Sequence, residues 1–201
     1  MRNVAILLFE HVEVLDFAGP FEVFSVCGRR GSDVPFNVFT VAETETVNAR
    51  NNLKITPAYL LDDCPFADII IIPGGGGTDT EGKPFGSRKE MDNPIVLNWI
   101  KERNVKAEYL LSVCTGSMIL AKTGLLDGLK ATTHWKAVEA MQSVAPHTQV
   151  MAEERWVDNG RIILSAGISA GIDMSFYVIS KILGKEAARE TAKYMQYDYW
   201  Q

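Results

Sequence analysis

Short apolar runs closed by turn residues recur along the chain and alternate with stretches of helical periodicity. Residues 4–9, 67–72 and 109–113 are almost continuously apolar, which is typical of strands covered on both faces by helices. Residues 36–41 partly alternate apolar and polar positions, and residues 53–55 indicate a short edge piece. This alternation of strands and helices predicts an α/β sandwich around a mostly parallel sheet.

Capping residues and periodicity predict the helices. Pro20 suits the first position of a helix that follows a turn, and the pair at 93–94 suits an N-cap and first turn. Turn residues and apolar spacing predict the other helices at residues 95–103, 116–122, 136–143, 169–183 and 185–194.

Two connecting segments also have local signals. Asn159 and Gly160 separate two strand-like runs, so they predict a hairpin in which this pair forms the two-residue turn. Residues 78–90 are polar and contain glycine, which predicts a surface loop or irregular segment.

The strand at residues 109–113 ends at Cys114, and small residues lead at once into the next helix. This order of strand, cysteine, turn and helix is that of a nucleophile elbow. A helix N-terminus exposes unpaired N–H groups and the positive end of its dipole, which favour a thiolate over a thiol. A buried structural cysteine is the alternative, and the setting favours the nucleophile.

Two further strand ends belong to the same edge of the predicted sheet. Asp16 follows the first strand and the glycines of residues 74–77 follow the strand at 67–72, so both lie beside Cys114. A carboxylate beside a thiol can hydrogen-bond it, move its proton or orient water. A plain turn or capping role is the alternative for Asp16.

The glycine run and one histidine are further candidates to line the site. Residues 74–77 lack the following Lys-Ser/Thr of a phosphate loop. They indicate instead an oxyanion site in which the N–H of Gly75 or Gly76 acts with the amide of Thr115, with a plain flexible loop as the alternative. His134 follows a short β-like piece, and it either lines the site or is structural.

Composition excludes several classes of protein. The 201 residues are 47% hydrophobic, which suits one domain spanning 1–201. A net charge of -5 makes nucleic acid an unlikely partner. The 3 cysteines are widely spaced, so they indicate neither a disulfide framework nor a zinc site. No apolar run approaches a membrane span or a signal peptide, and we expect a cytoplasmic protein.

Six motifs in order resemble the DJ-1/PfpI superfamily, and within it the isonitrile hydratase branch that is shared with amidotransferase-like domains of AraC-type regulators. The motifs lie at residues 14–20, 72–75, 112–116, 124–128, 133–135 and 165–173. The resemblance covers essentially the whole chain. It implies a flavodoxin-like three-layer sandwich, usually a homodimer, with an elbow cysteine and a nearby acid.

Two departures from other branches refine this resemblance. Protease-like members have histidine directly after the elbow cysteine, whereas this chain has Thr115, which argues against peptidase activity. DJ-1-like members place a glutamate early in the first helix, whereas Asp16 is expected in the preceding turn. Asp16, Cys114 and Thr115 match the functional set of isonitrile hydratases. The regulators add a helix-turn-helix domain, and because the sequence ends at Gln201 a stand-alone enzyme is expected.

The resemblance implies a lyase that adds water to an isonitrile to give an N-substituted formamide. Cys114 would attack the isonitrile carbon while Asp16 moves protons, or Asp16 would activate water while Cys114 positions the substrate. The substrate is a small molecule, and the reaction needs no metal or organic cofactor. An apolar pocket is expected from Phe17, Trp135 and Ile168. The alternatives are a cysteine-dependent amidase, glyoxalase or deglycase, and a redox or ligand sensor.

Overall fold

The computed structural model describes residues 1–28 and 34–198. The strands are β1 (Arg2–Leu8), β2 (Phe36–Ala42), β3 (Val47–Ala49), β4 (Leu53–Ile55), β5 (Tyr59–Leu60), β6 (Ile69–Ile72), β7 (Gly76–Thr78), β8 (Pro84–Gly86), β9 (Tyr109–Val113), β10 (Lys130–Ala131), β11 (Gln149–Val150), β12 (Trp156–Asp158) and β13 (Ile162–Ser165). The helices are α1 (Val14–Val26), α2 (Ser87–Glu90), α3 (Pro94–Asn104), α4 (Gly116–Lys122), α5 (Val138–Val144), α6 (Ala170–Leu183) and α7 (Lys185–Tyr194).

The central sheet has the strand order β12-β13-β9-β6-β1-β2-β5. Every pair in it is parallel except β12 with β13. Strands β9, β6 and β1 are therefore neighbours, so their carboxyl ends lie side by side at one edge. The loops that carry Cys114, the glycine run and Asp16 meet there, as the apolar runs predicted.

Helices cover the sheet as two outer layers. Helices α1, α6 and α7 pack against one another, and α4 packs against α2, α3 and α5. The central strands between these layers are buried: the four isoleucines of β6 are all 0% exposed. The predicted three-layer α/β sandwich is confirmed, and the apolar side chains of the sheet form its core. Among the described residues, no helix is long and apolar enough to cross a membrane.

The start of the first helix differs from its prediction. Helix α1 begins at Val14, so Pro20 lies inside it and Asp16 lies in its first turn rather than in a loop. A helix tolerates an internal proline poorly because the ring nitrogen cannot donate to the carbonyl four residues earlier. Packing offsets this cost: a Cβ on Gly19 would lie 2.9 Å from Ile172 Cγ1, so α1 approaches α6 closely at this point.

The two connecting segments also differ from their predictions. The hairpin of β12 and β13 is present, but Asn159 N donates to Ile162 O at 3.0 Å, which makes Gly160 and Arg161 the turn residues. Gly160, with φ +87°, supplies the positive dihedral angle. Residues 78–90 are not a plain loop, because they contain β8, which pairs with β7, and the short helix α2.

Candidate active site

Cys114 occupies a strained turn between β9 and α4. Its φ of 58° is rare for a residue other than glycine. Hydrogen bonds hold this turn: the amide of Cys114 donates to Ser165 O at 3.2 Å and to Ala166 O at 3.0 Å. The Cys114 carbonyl accepts from Ser117 Oγ at 3.0 Å and from Thr133 Oγ1 at 3.1 Å. The predicted nucleophile elbow is thus present, with its backbone conformation fixed by neighbouring strands and loops.

Two glycines allow the elbow to approach the neighbouring strand end. A Cβ on Gly116 would overlap the carbonyl oxygen of Ile72. A Cβ on Gly74 would lie 2.5 Å from Thr115 N and 3.0 Å from Asp16 Oδ2. Both positions therefore exclude any side chain, and the close approach brings the carboxyl of Asp16 to the elbow.

Asp16 is fully buried beside the thiol. Its Oδ2 accepts a hydrogen bond of 3.0 Å from Gly74 N. Its Oδ1 has no well-aligned hydrogen bond among the described residues. The Cys114 thiol is nevertheless near enough to interact with the carboxyl, and this interaction shifts the pKa values of both groups. Burial raises the pKa of Asp16 to about 7, against the opposing effect of the Gly74 hydrogen bond. Asp16 can therefore take up and release a proton near neutral pH.

The thiol of Cys114 is protonated in the resting site. Burial and then the charge of Asp16 raise its pKa to about 12, although the backbone amides of Thr115 and Ile168 favour the thiolate. The prediction of a lowered thiol pKa is wrong for this state, because desolvation and the neighbouring carboxylate outweigh the helix end. Since protonation of Asp16 removes one cause of the shift, thiolate formation is coupled to proton uptake by the carboxyl.

A closed ring of hydrogen bonds uses the Thr115 hydroxyl. Gly75 N donates to Thr115 Oγ1 at 3.0 Å, and Ser87 Oγ donates to Gly75 O at 2.7 Å. The two hydroxyl oxygens are 2.8 Å apart. Because the Ser87 proton is already directed at Gly75 O, Thr115 is the donor between the hydroxyls. The Thr115 hydroxyl and the Gly75 amide are thus hydrogen-bonded to each other. The backbone amide is therefore the group of Thr115 that can act on the thiol or on a substrate.

This ring corrects the predicted oxyanion site. The Gly75 N–H is bound to Thr115 and is not directed at the thiol. The amides that interact with the sulfur are those of Thr115 and Ile168. Ile168 has a φ of 50°, a strained conformation for a β-branched residue. Gly76 lines the pocket but belongs to β7, so the glycine run is not a plain flexible loop.

A pocket of about 550 Å³ opens above the thiol. Its described lining residues are Glu13, Arg50, Gly75, Gly76, Arg88, Cys114, Thr115, His134, Lys136, Ala137 and Ile168. It therefore contains His134 and Ile168, as predicted. Phe17 and Trp135 are not among these lining residues: Phe17 is buried in the core, and Trp135 is 71% exposed. The expectation of an apolar pocket is wrong, because charged side chains form much of its wall.

Sequence patterns missed five polar residues of the site. Ser87 and Arg88 come from the segment predicted as a surface loop, and α2 carries them to the elbow. Glu13, Arg50 and Lys136 are the other charged residues of the wall. The position of Lys136 two residues after His134 is the one local signal that could have indicated it. Burial lowers the pKa of His134, and Lys136 and Arg88 lower it further, so this histidine is neutral at pH 7.

No grouping of three or more His, Cys, Asp or Glu side chains suited to a metal ion occurs in residues 1–28 and 34–198. The three cysteines are free and buried.

Known proteins resemble this chain in sequence and fold. The model of the DJ-1/PfpI family matches residues 2–181. An isonitrile hydratase of Pseudomonas putida is 29% identical over 195 residues, which cover 97% of this chain and 78% of the relative. The HTH-type transcriptional regulator CdhR of Pseudomonas aeruginosa is 27% identical, and the match covers 93% of this chain but 52% of the regulator. The solved structure of a ThiJ/PfpI family protein from Pseudomonas syringae is 27% identical with a TM-score of 0.83, covering 98% of this chain and 75% of that one.

Proposed function

This chain belongs to the DJ-1/PfpI family, and from that premise we propose that its site hydrates an isonitrile to an N-substituted formamide. The observation that carries the proposal is the buried pair of Asp16 and Cys114, in which the pKa of the carboxyl is raised to about 7. Such a pair can deliver a proton and later accept one at the same position. The similarity to an isonitrile hydratase supports the choice of substrate.

In the first step the sulfur of Cys114 attacks the terminal carbon of the isonitrile. A C–S bond forms, and the proton that leaves the thiol reaches that carbon through Asp16, which gives a thioimidate on the enzyme. The amides of Thr115 and Ile168 stabilise negative charge on the sulfur as the proton leaves. The raised thiol pKa is compatible with this order, because thiolate is needed only while Asp16 holds the proton.

In the second step water adds to the thioimidate carbon. Asp16 accepts one proton from this water and passes it to the nitrogen, which gives a tetrahedral adduct that carries a hydroxyl group. Asp16 then accepts the proton of that hydroxyl, and the C–S bond breaks as the carbonyl of the formamide forms. The sulfur leaves as thiolate and regains its proton from Asp16. The net reaction joins one isonitrile and one water, and no electrons are transferred, so these residues suffice without a cofactor.

Turnover with isonitriles of different charge tests the proposal. Wild type, Cys114→Ala and Asp16→Asn are incubated with cyclohexyl isocyanide and with isocyanoacetate, and formamide is followed by NMR. We expect turnover by wild type and loss of at least about 1000-fold in Cys114→Ala, since the covalent step is removed. The proposal fails if wild type converts neither isonitrile faster than Cys114→Ala does.

A ligand-sensing role is the second candidate function. The match to CdhR, a transcriptional regulator, favours this role, because the match covers 52% of CdhR and the similar domain is therefore part of a longer regulator. A peroxide sensor is less well supported, since a thiol whose pKa is raised to about 12 presents little thiolate for oxidation. Tight binding of a small molecule without any turnover would favour ligand sensing over catalysis.

We further propose that the protein is one domain that forms a homodimer in the cytoplasm, as the family resemblance implies. Sedimentation at micromolar concentration tests the assembly: a species of twice the chain mass is expected, and a monomer would refute it.

A further inference from the structure

The wall of the pocket above Cys114 is rich in positive charge, although the whole chain has a net charge of -5. Arg50, Arg88 and Lys136 line it, and Glu13 is the one carboxylate among its described lining residues. His134, the remaining titratable nitrogen group of the wall, is neutral at pH 7 because its pKa is lowered. The local balance is therefore opposite in sign to that of the chain.

Two of these three cations have no carboxylate partner among the described residues. Arg50 Nη1 is 3.0 Å from Glu13 Oε2, so this pair neutralises itself. Arg88 Nη1 makes one hydrogen bond, to the Ser87 hydroxyl at 3.3 Å. Lys136 Nζ lies 5.0 Å from the centre of the Trp135 ring, a contact that leaves its charge unneutralised. The pocket thus presents Arg88 and Lys136 to a ligand.

Arg88 is half-buried, and it has no carboxylate partner in the part of the chain that the structure describes. Desolvation lowers the pKa of its guanidinium, because burial destabilises the charged form, whereas the neighbouring Cys114 raises this pKa. A bound anion would offset this cost, because a guanidinium fork matches a carboxylate in both charge and geometry. Arg88 also lies on the same hydrogen-bond ring that fixes Thr115, through its contact with Ser87.

We propose that the substrate of this site carries a carboxylate that Arg88 binds, with Lys136 as the second cation, while its reactive carbon lies over Cys114. This inference rests on the proposed function and narrows it to isonitriles with an anionic substituent. It makes Arg88 a specificity-determining residue, and it explains why the expected apolar side chains Phe17 and Trp135 do not line the pocket.

Alkylation of Cys114 tests the anion site without requiring turnover. Iodoacetate and iodoacetamide both transfer a carbon to sulfur with loss of iodide, and they differ chiefly in charge. The rate constant for iodoacetate is divided by that for iodoacetamide, with Cys114 followed by peptide mass spectrometry, and the ratio is normalised to N-acetylcysteine. We expect a normalised ratio of about 5 or more in wild type, falling towards 1 in Arg88→Gln and part of the way in Lys136→Gln.

Arg189→Gln is the matched control, because it removes the same charge from an exposed arginine of α7 that is not among the pocket lining residues. Its ratio should equal that of wild type. If Arg88→Gln fails to fold, Lys136→Gln, which alters an exposed side chain, still measures whether a pocket cation changes the ratio. A wild-type ratio of 1 or less, no labelling by iodoacetate, or a ratio that none of the pocket variants changes would overturn the proposal.

Turnover then separates this inference from the proposed function. If the chain is a hydratase, Arg88→Gln should raise the KM for isocyanoacetate about 10-fold more than it raises the KM for methyl isocyanoacetate, because the ester carries no charge for Arg88 to bind. Selective alkylation without turnover of either isonitrile would reject the hydratase and retain the anion site. Turnover of both at equal efficiency, with no alkylation selectivity, would retain the hydratase and reject the anion site.

Discussion

The hydroxyl oxygens of Ser87 and Thr115 lie 2.8 Å apart, and this contact joins α2 to the elbow. Through it the Thr115 hydroxyl, the Gly75 amide and the Gly75 carbonyl are all satisfied within one ring. The ring holds the Thr115 backbone, whose amide interacts with the sulfur of Cys114. Thr115 is therefore a positioning residue through its side chain and contacts the reacting sulfur through its main chain.

Removal of the Thr115 hydroxyl should loosen this ring. In Thr115→Val the half-buried Gly75 amide loses its acceptor, which should lower the free energy of unfolding by about 1 kcal/mol. Formamide formation should fall about 10- to 100-fold in kcat, because the amide at the sulfur is no longer held in place. Thr115→Ser keeps the hydroxyl and should retain most activity. Equal losses in the two variants would show that the ring does not matter.

Gly74 should tolerate no side chain. Gly74→Ala would place a Cβ 2.5 Å from Thr115 N and 3.0 Å from Asp16 Oδ2, so it should abolish turnover even where the protein folds. Gly77→Ala is the matched control in the same glycine run, since its Cβ would meet Phe85 Cζ at an ordinary 3.7 Å. Circular dichroism checks folding and steady-state kinetics checks activity. An active Gly74→Ala would contradict the close approach of the elbow to Asp16.

Asp16 should make stability depend on pH in an unusual direction. Because its pKa rises from 3.8 to about 7 on folding, the folded chain binds the proton more tightly between these values. This contribution is complete below pH 3.8 and is lost as the pH rises through 7. Relative to Asp16→Asn, wild type should lose up to about 4 kcal/mol between pH 4 and pH 8.

Urea unfolding of wild type and Asp16→Asn at a series of pH values measures this difference. The comparison removes the contributions of other titrating groups, which are common to both proteins. A difference that stays constant with pH, or that changes in favour of wild type at high pH, would show that the carboxyl is not held at a raised pKa.

The sequence predicted the elements whose signal is local and strong. The four isoleucines of β6, the apolar strand β9 and the small residues after Cys114 are each specified by burial on both faces or by turn chemistry. Because β9, β6 and β1 are adjacent parallel strands, the meeting of Cys114 and the glycine run with Asp16 followed from topology alone.

Tertiary contacts decided what the sequence did not predict. Pro20 resembles a helix start, but close packing of Gly19 against Ile172 carries α1 through it. Ser87 and Arg88 have no local signal of function, and they reach the site because β8 pairs with β7. The direction of the thiol pKa shift depended on burial, which outweighed the effect of the helix end.

Rapid-quench mass spectrometry of Cys114 tests the central claim of covalent hydration most directly. Wild type and Asp16→Asn are mixed with isocyanoacetate, quenched at short times and mapped by peptide. We predict that the Cys114 peptide gains the mass of one isonitrile transiently in wild type, at a rate no slower than formamide appears. In Asp16→Asn the adduct should form far more slowly, because Asp16 moves the thiol proton in the first step. Formamide that accumulates without this adduct, or that Cys114→Ala produces at the wild-type rate, would contradict the account.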